Sequence, residues 1–162
     1  MKFILIIFST IMINACGGSK DLASNTGDNY SSLTQEKRDM INNIQMLEYT
    51  ANSRGSHILV RITEKFINYK LNRNDELIAI SNTEKNWNDL MLLMADLDVK
   101  TIPSLEAPSK AHQYDGAAHA TFSIYVQKDE EGLQTPTFDA GNPHKAIAPI
   151  IDKMMSLIPS KN

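Results

Sequence analysis

One cysteine, Cys16, stands among the 162 residues. A single thiol excludes an intramolecular disulfide, so the fold must be held by its core even in an oxidising compartment. Zinc sites of the cysteine type are excluded with it. Long apolar runs are also missing: the longest, "FILIIFSTIMI" (3–13), is followed at once by Asn14, and a membrane-spanning helix needs about 20 apolar residues. There is no G-x-S-x-G elbow, no phosphate-binding glycine loop, no H-E-x-x-H and no acidic calcium loop. A formal charge of −3 supplies no basic surface, so no nucleic-acid partner is expected. No cofactor motif is present either.

What is present begins with Met1 and Lys2, the apolar stretch, and then Asn14-Ala15-Cys16. A short positive region, an apolar stretch and a small residue at a cleavable position make residues 1–15 an expected secretory signal peptide. "INAC" (13–16) resembles the lipobox of bacterial lipoproteins, with Asn14 where the commonest pattern has a small or β-branched residue. The resemblance implies a diacylglyceryl group on the Cys16 sulfur, cleavage before that residue and acylation of the new amine. One acyl chain binds a membrane marginally, whereas two or more hold stably. The implied address is the cell envelope, with the outer membrane as the expected bilayer and the N-terminal lipid as the membrane contact. Lipidation would also remove Cys16 as a nucleophile.

Residues 16–42 open with Gly, Ser, Asn and Asp and show little apolar periodicity. They read as a flexible tether, in which "SLTQEKRDMINN" has the makings of a helical turn or two. Residues 43–162 are enough for one domain. Strands are expected at 44–51, 57–64 (Ile58, Val60 and Ile62 on one face), 66–72, 76–81, 120–127 (Phe122, Ile124 and Val126 on one face) and 133–139. Pro136 lacks an N–H, which assigns its strand to a sheet edge. Ser81 and Glu84 form a capping-box pattern before a helix over 83–97, in which Trp87, Leu90, Met91, Met94 and Leu97 recur at helical spacing. Asn142 and Pro143 mark the start of a second helix, with Pro149 an awkward residue inside it. Residues 98–118 read as a long connection. The expected fold is α+β: an antiparallel sheet of about six strands with two amphipathic helices on one face.

If 120–127 and 133–139 form a hairpin, "AHQYDGAAH" and "FDAGNPH" meet at one end of the sheet. His112, Asp115, His119, Asp139, Asn142 and His144 then become the candidate binding residues, with His119 roughly opposite Asn142, and Tyr114 the exposed aromatic beside them. Three imidazoles and two carboxylates are the chemistry of a zinc-like ion or of a His–Asp general base. Turn and cap chemistry accounts for the same residues without either role, so no metal and no catalytic residue is assigned.

"TANSRG", the Trp87 helix, "YDGAAHATFSI" and "FDAGNPHKAI" resemble small lipoproteins of Gram-negative envelopes. That family has no assigned activity, so the resemblance implies one domain with characteristic loops and no catalytic role. The leading expectation is a non-enzymatic envelope module that binds a protein, peptide or small ligand at the 112–119/138–144 end. The alternatives are a metal-dependent or His/Asp-based hydrolase at that end, and a structural accessory of an envelope machine that docks through an open sheet edge.

Overall fold

Alternation along the strands decides which way the sheet faces. In β1 (Ile44–Asn52), Leu47, Tyr49 and Ala51 are buried, while Glu48 and Thr50 between them are only half-buried. Antiparallel register sets Leu47 beside Ile62 of β2 (His57–Ile62) and Ile124 of β5 (His119–Val126). Tyr49 lies beside Val60 and Phe122 in the same way. Ile67 and Tyr69 of β3 (Phe66–Lys70) extend these apolar rows toward β4 (Ile78–Ser81). The computed structural model describes residues 33–114, 117–127 and 132–159. Within them the strand order is β4-β3-β2-β1-β5-β6, with β6 at Leu133–Gln134 and β7 (Phe138–Asp139) also paired to β5. Cys16 and the signal segment lie outside the described residues.

Three helices cover the apolar face: α1 (Gln35–Asn42), α2 (Glu84–Ala95) and α3 (Ala148–Ser156). Ile41, Leu90, Met94, Ile150 and Met154 join the strand residues in one buried cluster. Asp89 of α2 accepts from Lys85 at 2.9 Å and from Lys153 of α3 at 2.8 Å, which ties the two helices at their surface. The opposite sheet face is polar. There Arg61 Nε donates to Glu48 at 2.5 Å and the hydroxyls of Thr50 and Thr121 meet at 2.9 Å. The α+β expectation holds, with seven strands and a third helix among the described residues.

The boundaries differ in ways that have local causes. The expected tether over 16–42 ends early, because Thr34 caps α1 by accepting from the Lys37 N–H at 3.4 Å and Ile41 is only 1% exposed. Leu33 and Met40 pack beside Ile41 against the same core. Thr83, not Ser81, caps α2, accepting from the Asn86 N–H at 3.2 Å; Ser81 is the last residue of β4. Asn142 does not cap α3. The His144 carbonyl instead accepts from Ile147 and Ala148, and the helix starts at Ala148 with Pro149 in its first turn, where a missing N–H costs nothing. The connection 98–118 contains two short 3-10 helices, Val99–Ser104 and Ala111–Gln113, and the first buries Val99 and Ile102.

The expected strand over 133–139 is split into β6 and β7. Ser123 pairs with Gln134, but Ala120 pairs with Phe138, so the register slips by one residue and Pro136 and Thr137 together face Thr121. This is a β-bulge, on the edge strand where proline belongs. Thr135 stabilises it from both sides: its N–H donates to the Phe122 carbonyl at 2.9 Å and its hydroxyl accepts from the Phe122 N–H at 3.1 Å. Beyond the slip Phe138 turns into the core, and His119 faces Asp139 in place of the expected Asn142.

The placement of Ile41 is directly testable. Ile41→Ala should lower the unfolding free energy by about 2–5 kcal/mol, as loss of a core side chain does, read by denaturant unfolding. A change near zero is what a tether position would give.

Candidate functional site

The Asp139 end of the sheet is a clasp. Asp139 is the last residue of β7, and a turn follows in which the Asn142 N–H returns to the Asp139 carbonyl at 2.8 Å. Gly141 sits in that turn with φ +87°, a conformation that side chains with a Cβ rarely adopt. The Asp139 carboxylate accepts hydrogen bonds from the Ser109 hydroxyl, from the N–H of His112, from the Ala111 N–H at 3.0 Å and from His112 Nδ1 at 2.7 Å. Asn142 Nδ2 donates to Ser109 Oγ at 2.7 Å and closes the ring of contacts. The Ser109 hydroxyl, with the His112 and Ala111 groups behind it, holds the Asp139 pKa down to about 2. Ionised and saturated with donors, this carboxylate fastens the 109–112 segment to the sheet.

The arrangement is not that of a nucleophilic triad. There the imidazole lies between the carboxylate and the nucleophile, whereas here Ser109 and His112 both bond the same carboxylate. His112 has a side chain 11% exposed. Among the described residues, no three His, Cys, Asp or Glu side chains converge as a metal site.

The structure therefore joins some of the expected residues and separates others. His112, Asp139 and Asn142 meet through Ser109, which the sequence reading passed over. His119 is the exposed register partner of Asp139. His144 belongs to the turn before α3, where its Nδ1 accepts from the Ala146 N–H at 3.2 Å. Tyr114 projects outward, 76% exposed. Asp115 lies outside the described residues.

The opposite end of the sheet holds a cleft of about 580 Å³, within the size range of ligand pockets. Ile41, Ile44 and Met91 are its buried floor, Trp87 lines it as an aromatic wall, and Phe66 lines its sheet end. Phe66 is 53% exposed because it opens β3 in register with Asn68, on the face away from Ile67 and Tyr69. The turn residues Thr63, Glu64 and Lys65 close one side, and side-chain amides stand on the others. A second cleft of about 580 Å³ lies between α1 and the segment after α2. It has no aromatic lining and is flanked by the Lys37–Asp96 ion pair at 3.8 Å. The aromatic cleft is the better candidate for a ligand. Trp87, which shares the helical spacing of the α2 core residues, packs on the core and also lines this opening.

The clasp has a pH signature. Asp139 is ionised in the fold down to about pH 2, while an unfolded aspartate takes up its proton near pH 3.9. Its contribution is thus complete above about pH 4 and lost as the pH falls toward 2. Asp139→Asn should speed hydrogen exchange at the Ala111 and His112 amides at neutral pH, and its stability should depend less on pH between 4 and 2. Unchanged exchange at both amides would show that the carboxylate does not hold the loop. In comparisons with known proteins, no family model, no curated protein and no solved structure matches this chain.

Proposed function

We propose that this protein is a non-enzymatic binding module of the cell envelope, held to its membrane by acyl chains on Cys16, with the Trp87–Phe66 cleft as its binding site. The observation that carries the reading is the cleft itself: an apolar floor, aromatic lining residues and a polar rim at one end of the sheet. The only His–Asp pair hydrogen-bonded among the described residues serves as a structural tie, which counts against the hydrolase alternative. The apolar stretch 3–13 followed by "NAC" supports the anchor.

One observation favours docking of a protein as a second reading. Asn82 N–H donates to the Lys65 carbonyl at 2.9 Å, so antiparallel alternation directs Ile80 and Ile78 toward β3 and turns the backbone groups of Ala79 and Ser81 outward. The outer edge of β4 has no charge and no proline, and Leu77 and Ile78 beside it are about half-exposed. Such an edge suits strand addition by a partner.

Two measurements test these readings. A Cys16→Ser chain should keep its signal segment and leave the detergent-extracted membrane fraction; equal processing and equal membrane retention would remove the anchor. Titrating isotope-labelled protein with solute and glycan fractions of envelope extract should shift the amides of residues 63–66 and 87–91 and leave 109–112 in place. Shifts confined to 78–82 on adding envelope proteins would move the binding role to the sheet edge, and no shift anywhere would remove it.

A further inference from the structure

We infer that the Trp87–Phe66 cleft is a saccharide site, taking a neutral, hydroxyl-rich ring on its aromatic lining and bonding the hydroxyls with side-chain amides. The inference rests on the binding reading above and adds the chemical class of the ligand. Charge is the first argument. Among the described residues, Glu64 and Lys65 are the only charged ones lining the cleft, and their formal charges cancel. A phosphate or an acidic peptide would find no net counter-charge among these.

Amides are the second argument. Asn42, Gln45, Asn88 and Gln127 surround the opening. Each amide offers a carbonyl acceptor and two N–H donors, which matches hydroxyls that both donate and accept. Among the described residues no hydrogen bond occupies the side chains of Gln45, Asn88 or Gln127. Trp87 supplies a flat apolar face for the C–H side of a pyranose, and its edge retains an N–H donor. Floor, wall and rim thus present an apolar surface and a hydroxyl-binding surface together, as a sugar ring does.

Peptide chemistry fits less well. A peptide that binds by strand addition needs unpaired backbone groups, and several at this rim are already paired. Thr63 N–H donates to the Phe66 carbonyl at 2.9 Å, Asn82 N–H to that of Lys65 at 2.9 Å, and Gln127 N–H to that of Asn43 at 2.8 Å.

Trp87 is the only tryptophan in the chain, so its emission reports on the cleft alone. The full chain, in a detergent without a sugar headgroup, is titrated with maltotriose, cellotriose and chitotriose, and in parallel with blocked neutral tripeptides. At least one trisaccharide should produce a saturable change in emission. The double variant Gln45→Ala/Asn88→Ala should weaken that binding about tenfold or more, the loss of one to two hydrogen bonds, with its melting curve checking that it folds. Phe66→Ala, at an exposed position, should weaken binding as well. Saturable binding of a tripeptide and of no trisaccharide overturns the saccharide assignment and leaves the binding reading standing. A response to neither class overturns the assignment too, and so does trisaccharide binding that both variants leave unchanged.

Discussion

Leu47 and Phe122 belong to β1 and β5, the strand pair with the longest register, and both are fully buried. Pairing β1 with β5 over most of their length sets Leu47, Tyr49 and Ala51 in rows with Ile124, Phe122 and Ala120. That apolar surface has to be removed from water, and three helices perform the task on one side. The other side can then remain polar, crossed by the Arg61–Glu48 pair and the Thr50–Thr121 hydroxyls. A chain with one cysteine has no covalent alternative to this burial. Shifting the β1 register by one residue would send the whole apolar set into solvent, so the register carries both the core and the position of everything at the sheet ends.

Both ends follow from it. At one end, the bulge at Pro136 and Thr137 turns Phe138 inward and sets Asp139 beside His119. The carboxylate can then gather Ser109, Ala111 and His112 and keep a proline-containing connection in one conformation. At the other end, β1, β3 and β5 meet α1 and α2 without filling the space between them, and the cleft is what remains. Order at the first end comes from one saturated anion. At the second, Trp87 and Phe66 line an opening that the described elements leave uncovered.

Much of the fold was legible in the sequence. The alternation of Ile58, Val60 and Ile62 and of Phe122 and Ile124 located β2 and β5, and Pro136 identified the sheet edge. The stripe of Leu90, Met91 and Met94 located α2. What escaped depends on partners distant along the chain. A bulge is a property of two strands, so no feature of residues 133–139 alone shows where the slip falls. Ser109 lies 30 residues from the carboxylate it bonds, and nothing in "APSKAH" distinguishes it from an ordinary loop serine. Ile41 sits in a polar stretch whose helix is stabilised by its neighbours. Asn142 and Pro143 carry a valid helix-start signal that the His144 turn overrides. At the expected site, the convergence of His112, Asp139 and Asn142 was foreseen, whereas the Ser109 hydroxyl that joins Asp139 to Asn142 was not. At the cleft, the placing of Trp87 near the turn before β3 required the packed helix.

The position of α1 has a mechanical consequence. Ile41 and Asn42 at the C-terminal end of α1 form part of the cleft wall. Lifting α1 from the sheet would therefore open that wall and uncover Ile41 in the same movement. An occupant bridging α1 to Trp87 would resist such lifting, so that filling the cleft and detaching α1 oppose one another.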